Sequence, residues 1–463
     1  MAEPVLFKHR RGRRHASLED YVADGGYEGL KKALASMAPA QVIQEVLDSG
    51  LRGRGGAGFP AGRKWGGVPP DGEHPRYMQC NADEMEPGTF KDRLIINADP
   101  HLLLEGMALG AYAIGASKGI IFIRPSYELE AELLTLEIER AREANFLGRN
   151  ILGTDFSFDI IVHRSAGRYI CGESGAQQRA VMGVRPNPIE TGYRSAVRGL
   201  WNKPTVVNNV ETLAHVPGIV RNGAAWFKGL ALTPGGDGTK LFPVSGMVAN
   251  PGCFELPSGV TLREIIFTHA DGMLPGKRFK AALPGGTSTK FIPERLLDMP
   301  MDFQSMREQG YRLGTGAVIV FDQDTCLVAA TLNMMHYFAR ESCGWCTPCR
   351  DGLPLVLDLL GRIEEGSATR EDVAELGRTV AFMDHANCAF APGAAEPVLA
   401  LLEHFMDEVE AHLDGKGCPF SAQPALPWRG EPQRVFTWPG EPEGACPGAR
   451  PRPKPRRIVS CPI

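Results

Sequence analysis

A chain of 463 residues is too long for one compact core and implies two to four domains, while 43% hydrophobic and 22% charged residues are ordinary for a folded globular protein. A net charge of −4 offers no electrostatic footprint for nucleic acid or an anionic lipid surface. The longest apolar stretch, Met107 to Ile123, is broken by Gly110, Gly115, Ser117 and Lys118 and falls short of the ~20 apolar residues that span a bilayer. The start carries a basic cluster from His9 to His15 without the apolar core of a secretory signal, so the reading is a cytoplasmic chain that meets membranes only through partners.

In chain order, Tyr27 to Leu34 and Ala40 to Leu47 show helical spacing. Leu51 to Pro60 is too glycine-rich for a regular element. Tyr77 to Cys80 is strand-like, Gly119 to Arg124 is a buried strand, Tyr127 to Ala144 a helix and Phe158 to His163 a strand, a βαβ rhythm that predicts an α/β sheet domain. From Lys240 to Phe321 short β-rich runs such as Leu241 to Val248 flank one helix, Leu262 to Thr268, and predict a small α+β module. Beyond Thr325 the periodicity is helical over Cys326 to Ala339, Leu353 to Glu365, Arg370 to Met383 and Glu396 to Leu413, which predicts a four-helix bundle. The expected domains are 1–239, 240–325 and 326–414, followed by a disordered Pro- and Gly-rich tail over 415–463.

Cys343, Cys346 and Cys349 crowd one tight turn, and Cys388 follows after a helical hairpin. Three close cysteines plus a remote one suit the corners of a 4Fe–4S cube, with Gly344 and Pro348 letting the backbone curl. A tetrahedral zinc site also takes four cysteines, and buried inert thiols are the bland alternative. The run Gly53, Arg54, Gly55, Gly56, Ala57, Gly58, Phe59 suits a phosphate nest with Lys64 adding charge, or a structural turn. Asn81, Asp83, Glu84 and Glu86 follow a strand and suit ribose or a flavin edge, or a solvated acidic turn. The polar group Asn208, Asn209, Glu211 and Thr212 is expected to open a helix, its asparagines serving a ligand or as N-caps.

Taken together, Gly53 to Phe59, Asn81 to Arg93, Gly167 to Glu173, Pro204 to Leu213, Glu341 to Gly352 and Cys388 to Pro397 resemble one family in its own order. It is the NADH-binding flavoprotein subunit of respiratory complex I, about 51 kDa. The resemblance implies a multidomain α/β + α chain: a Rossmann-like FMN-binding domain, a ubiquitin-like (SLBB) module and a helical bundle carrying a 4Fe–4S cluster on Cys343, Cys346, Cys349 and Cys388. It puts Lys64, Asn81, Asp83, Asn208, Asn209 and Thr212 at FMN positions, Phe59 and Glu86 along the NADH pocket, and Glu84, Tyr169, Gly172 and Glu173 with the same cofactor site. The implied activity is hydride transfer from NADH to FMN and single-electron transfer toward quinone, with no side chain acting as acid or base. Implied partners are a 2Fe–2S thioredoxin-like subunit and a larger iron–sulfur subunit, at the cytoplasmic side of the inner membrane.

One stretch departs from the family. From Glu173 the family runs Glu-Glu-Thr-Ala-Leu-x-Asn-Ser, whereas this chain has Glu173-Ser-Gly-Ala-Gln-Gln-Arg-Ala180, with a second departure at Asn187 to Tyr193. Matching sequence resumes at Trp201 without a change in length, and both segments can be coded by out-of-frame reading of the family motif. Residues 174 to about 199 therefore read as compensated frameshifts. Ser174 replaces a pocket carboxylate of the kind that excludes NADPH, and Arg179 lies nearby in sequence. Alternative functions are the flavin subunit of an NAD-linked formate dehydrogenase or hydrogenase, or a cluster-bearing subunit that binds no nucleotide.

Overall fold

The computed structural model describes residues 4–8, 15–189, 192 and 194–420. Most of the basic cluster, part of the second departing segment (Glu190, Thr191 and Tyr193) and the tail from residue 421 lie outside the described residues.

The first sheet has four parallel strands, β1 (Tyr77–Ala82), β2 (Lys118–Ile123), β3 (Asp159–Arg164) and β4 (Thr205–Asn209), in the order β3-β2-β1-β4. Parallel strands need crossovers that cover both faces, and Met78, Gln79 and Cys80 of β1 and Ile121 to Ile123 of β2 are accordingly buried. The crossover helix Pro100–Ile114 is buried at almost every position, starts at the Asp99 cap and stops at Gly115, whose φ of +67° suits only glycine well. It lies so close to the helix Val210–Asn222 that a Cβ on Gly106 would stand 2.1 Å from the Leu213 carbonyl. Its buried Glu105 accepts from the backbone N–H of Tyr27 (2.7 Å) and Leu30 (3.0 Å) and from the Tyr21 hydroxyl. That carboxylate ties the N-terminal helices Leu18–Ala23 and Glu28–Ser36 to the sheet domain.

The second sheet holds β5 (Thr239–Gly246), β6 (Gly252–Pro257), β7 (Phe279–Leu283), β8 (Ile292–Pro293) and β9 (Val318–Asp322), in the order β6-β5-β9-β7-β8. Only β5 and β9 pair in parallel. The helices Leu327–Glu341, Gly352–Glu365, Arg370–Phe382 and Phe390–His404 follow. Their core is continuous with Phe122 and Ile170 of the first unit and with Ala281, Leu283 and Phe291 of the second.

Three expectations change in detail. Residues Thr205–Asn209 form strand β4 and the helix begins only at Val210, because Val206 and Val207 complete the parallel sheet against β1. The helix expected over Glu396 to Leu413 is two helices, Phe390–His404 and Met406–Ala411, broken where Phe405 leaves helical geometry (φ −134°, ψ 33°). Residues 415–420, assigned to the tail, pack back on the bundle through Cys418 N–H to the Glu364 carbonyl (3.1 Å).

The departing segment folds as the helix Ser174–Val181, capped by Glu173 accepting from Ala176 N–H at 2.8 Å. Its Gln177 and Gln178 are fully buried, and neither amide oxygen nor nitrogen of either side chain has a partner. A buried unpaired amide costs ~1–3 kcal/mol, and leucine has a similar volume without the polar atoms. Gln177→Leu should therefore stabilise the protein by ~1–3 kcal/mol, read as a higher urea midpoint at unchanged slope. An unchanged or lower midpoint would show that the amide has a partner.

Candidate functional site

The glycine loop is held open from below. Gly53 N–H donates to the Phe59 carbonyl (2.9 Å) and Arg54 N–H to Thr212 Oγ1 (2.8 Å). The Arg54 side chain turns away from the loop into the core: Nη1 donates to Asp237 Oδ1 (3.0 Å), and Nη2 to the carbonyls of Asp237 (2.6 Å) and Thr239 (2.9 Å). Gly55 sits where a Cβ would press on Asn209 Cβ at 3.3 Å, and Gly56 has a φ of +119°, closed to other residues without strain.

Above the loop lies a cavity of ≈ 440 Å³. Of the residues singled out from the sequence, Gly55, Gly56, Ala57, Asn81, Asp83, Glu84, Glu86, Tyr169, Gly172, Glu173 and Asn209 line it. Gly53, Arg54, Gly58, Phe59, Lys64, Asn208 and Thr212 do not. Phe59 is 51% exposed. Asn208 Oδ1 accepts from Trp65 Nε1 (3.0 Å), and Lys64 Nζ donates to the Val207 carbonyl (2.9 Å) beneath β4. Burial lowers the Lys64 pKa to about 8. Lys91, Asp92, Arg312 and Thr315 also line the cavity. Lys91 and Asp92 fall inside the family-like run Asn81 to Arg93, whereas Arg312 had no sequence signal.

The acidic turn after β1 is not solvated, and its three carboxylates have separate environments. Asp83 Oδ1 accepts from Ser165 Oγ (2.7 Å) while Oδ2 is buried without a partner, and burial lifts its pKa to about 6. Glu84 caps the helix Lys91–Ala98, accepting from Asp92 N–H (2.9 Å), Arg93 N–H (3.2 Å) and Tyr127 Oη (3.0 Å). Burial and the nearby Asp92 raise it to about 7. Glu86 accepts from Tyr169 Oη (2.5 Å) and from Ser288 N–H (2.8 Å), so it bridges the first sheet to the loop after β7, and burial raises its pKa.

Beneath the cavity is a buried charge network. Glu211 lies 2.9 Å from Lys91 Nζ and 3.5 Å from Lys240 Nζ, and accepts from Leu241 N–H at 2.9 Å. Burial would raise the Glu211 pKa, but the charges of Lys240, Lys91 and Arg54 outweigh it and hold it down to about 2. Asn209 joins the network: its Nδ2 donates to Asp92 Oδ2 (2.6 Å) and its Oδ1 accepts from Lys91 Nζ (3.1 Å) and from Glu211 N–H (3.0 Å).

Asn387, Cys388, Ala389 and Phe390 also line the cavity. Cys388 stands at the head of the helix Phe390–His404, while Cys343 follows the helix Leu327–Glu341, and Cys346 caps and Cys349 lies within the single turn Thr347–Arg350. Gly344 has a φ of +66°, which curls the chain between the first two. Burial pushes the Cys349 thiol up to about 12, with added repulsion from Cys346, Cys388 and Cys343, so the four sulfurs share one neighbourhood. Four soft thiol donors in one neighbourhood fit a 4Fe–4S cluster. The glycine cradle and the unpartnered Asp83 oxygen likewise fit a polar, phosphate-bearing cofactor such as FMN.

Comparison with known proteins agrees with this geometry. Residues 46–218 match the Nuo51 FMN-binding domain, and residues 329–412 match the NADH-ubiquinone oxidoreductase-F iron–sulfur binding region. The chain is 45% identical to the F subunit of NADH-quinone oxidoreductase from Salmonella typhimurium over 413 residues, 89% of this chain and 93% of that one. It is 42% identical to the HndC subunit of the NADP-reducing hydrogenase of Solidesulfovibrio fructosivorans, over 89% of this chain and 83% of that one. Among solved structures, the NAD+-reducing [NiFe]-hydrogenase in its H2-reduced state superposes with a TM-score of 0.77 at 37% identity, covering 87% of this chain and 67% of the other.

Glu211→Gln would leave two buried lysines without their shared counter-charge. The expected loss is ~3–5 kcal/mol, measured by urea unfolding at neutral pH. Because the folded pKa of Glu211 lies below its ordinary value, its stabilisation is present above pH ~4.5 and fades as the pH falls toward about 2. The difference between wild type and variant should shrink over that window, and a constant difference would remove Glu211 as its source.

Proposed function

The chain belongs to the family of NADH-quinone oxidoreductase F subunits, and from that premise we propose how its own residues carry out the reaction. It is the flavoprotein subunit that oxidises NADH, with FMN and a 4Fe–4S cluster as cofactors. When bound, FMN takes two electrons from NADH as hydride and releases them one at a time, which matches a hydride donor to a one-electron cluster. The observation that carries the reading is one cavity lined by both the glycine loop and Cys388.

The loop Gly53 to Gly58, with Lys64, Asn208, Asn209 and Thr212, holds the FMN phosphate side, some of these residues acting from behind the cavity wall. Asn81, Asp83 and Glu84 hold the ribityl and ring side, and the free oxygen of Asp83 supplies an acceptor for a hydroxyl. Phe59, Glu86, Tyr169, Gly172 and Glu173 form the NADH side. Tyr169 and Glu86 fix each other, so the NADH entry is shaped before the substrate arrives. Cys343, Cys346, Cys349 and Cys388 would hold the cluster, and Cys388 also lines the cavity. Arg179 does not line the cavity and bonds through Nε to the Arg185 carbonyl (3.0 Å), which supports NADH over NADPH despite Ser174.

By the same reading, residues 240–325 form an SLBB module and 326–414 the cluster-bearing bundle. A 2Fe–2S thioredoxin-like subunit and a larger iron–sulfur subunit of the quinone-reducing complex take the electrons onward. Among the described residues no helix is long and apolar enough to cross a membrane. The proposed place is peripheral, held to the cytoplasmic side of the membrane by the rest of the complex. A second reading, the flavin subunit of a cytoplasmic hydrogenase, is supported by the likeness to the hydrogenase chains.

Anaerobic addition of NADH to the protein carrying FMN and cluster should bleach the yellow flavin band at micromolar concentrations. Bound FMN that stays yellow would overturn the hydride-acceptor reading. Lys64 makes a second prediction. Its amine titrates near about 8 in the free chain, and a phosphate beside it would raise that value. FMN affinity should then hold steady below pH 8 and fall above it, with the slope abolished in Lys64→Met; an unchanged slope would separate Lys64 from the phosphate.

A further inference from the structure

The far end of the helical unit holds a second set of metal-binding side chains, remote in sequence from the first. Cys326 caps the helix Leu327–Glu341, Glu364 closes the helix Gly352–Glu365, His412 follows the helix Met406–Ala411, and Cys418 lies in the turn beyond it. One ligand atom from each falls within 4.8 Å of the others. The matched iron–sulfur region ends at residue 412 and starts at 329, so both cysteines lie outside it.

The separations among Cys326, Glu364 and His412 match three edges of a coordination tetrahedron, and Cys418 Sγ lies within 4.8 Å of all three. With Zn–S of about 2.3 Å, Zn–N of about 2.0–2.1 Å and Zn–O of about 2.0–2.2 Å, tetrahedral angles give S···N and S···O edges of roughly 3.6 Å and an N···O edge of roughly 3.4 Å. In the structure Cys326 Sγ is 3.4 Å from His412 Nε2 and 3.6 Å from Glu364 Oε2, and His412 Nε2 is 3.4 Å from Glu364 Oε2.

The surroundings also suit a metal. His412 Nδ1 bonds the Glu408 carbonyl at 2.7 Å, which fixes the tautomer so that Nε2 presents its lone pair to the other three ligands. Glu408 is itself held by Leu327 N–H (2.6 Å) and Lys280 Nζ (2.5 Å). Cys418 is brought in by its own N–H to the Glu364 carbonyl (3.1 Å) and by Gly417 N–H to the His412 carbonyl (3.2 Å). Two thiolates, one imidazole and one carboxylate, all supplied by protein, make a closed four-ligand set of structural type, and the two sulfurs favour zinc over magnesium or calcium.

We infer that Cys326, Glu364, His412 and Cys418 bind one zinc ion that staples three helix ends and the start of the C-terminal extension together. The site is separate from the cluster cysteines and needs no redox chemistry. Binding releases the thiol protons and leaves two thiolates on the metal.

The test uses the full-length protein with flavin and cluster, purified anaerobically. Elemental analysis should find one zinc per chain beside the cluster iron. Zinc K-edge absorption should show two sulfurs at about 2.3 Å and two lighter atoms at about 2.0–2.2 Å. Cys418→Ser and His412→Ala should each lose the zinc while keeping flavin and iron, and should unfold at lower temperature. If either variant fails to fold, the wild-type zinc content and scattering shells still decide. Absence of zinc even after addition of Zn²⁺, a four-sulfur shell, iron in its place, or a Cys326–Cys418 disulfide in the anaerobic protein would each overturn the assignment.

Discussion

Glu211, buried between Lys91 and Lys240, is the interaction on which the rest of the site depends. A carboxylate removed from water is tolerated only when cations repay its lost hydration, and here each cation comes from a different part of the chain. Lys91 brings the turn after β1, Lys240 brings the first strand of the second sheet, and Glu211 itself opens the helix after β4. The Arg54–Asp237 pair extends the same logic to the glycine loop. Two sheets and one loop are therefore locked in a single register by charge rather than by apolar contact alone. The ligand surface above them inherits that register.

The cavity is lined by residues from widely separated parts of the chain. It is lined by the glycine loop, by the end of a parallel strand and by residues that lead into the helix Phe390–His404. In open parallel sheets ligands collect beyond the carboxyl ends of the strands, and Asp83 to Glu86 occupy that position beyond β1. Cys388, proposed as a cluster ligand, lines the same cavity as the glycine loop. Burial of Asp83, Glu84 and Glu86 keeps their carboxyl groups less acidic than usual, so that edge of the cavity carries less negative charge than its composition suggests.

The helix Ser174–Val181 shows how far the surrounding fold dominates a local sequence that does not suit it. Glu173 still caps it and Ala176 is still buried, but Gln177 and Gln178 enter an apolar interior with their amides unpaired. Compensated frameshifts would produce that pattern, because they change side chains and leave chain length and neighbouring contacts intact. The helix remains because tertiary packing outweighs a penalty of a few kcal/mol from two side chains.

Much of the molecule was legible in one dimension. The glycine run, the cysteine spacing and the strand and helix periods are local properties, and local properties decide which segments curl, extend or coil. Hence β2, β3 and the helices Glu128–Glu143, Gly352–Glu365 and Arg370–Phe382 fall within a residue or two of their expected bounds. Pairing was not legible in that way. That Thr205–Asn209 is a strand depends on β1 lying beside it, and the inward turn of Arg54 depends on Asp237, far along the chain. Asp83, Glu84 and Glu86 read identically as an acidic run and acquire distinct roles only from Ser165, Tyr127 and Tyr169. Cys326, Glu364, His412 and Cys418 carry no motif spacing at all. The sequence by itself determined the chemistry available and the elements that bear it; only the tertiary structure decided which groups meet, because burial and charge pairing are properties of contacts between distant segments.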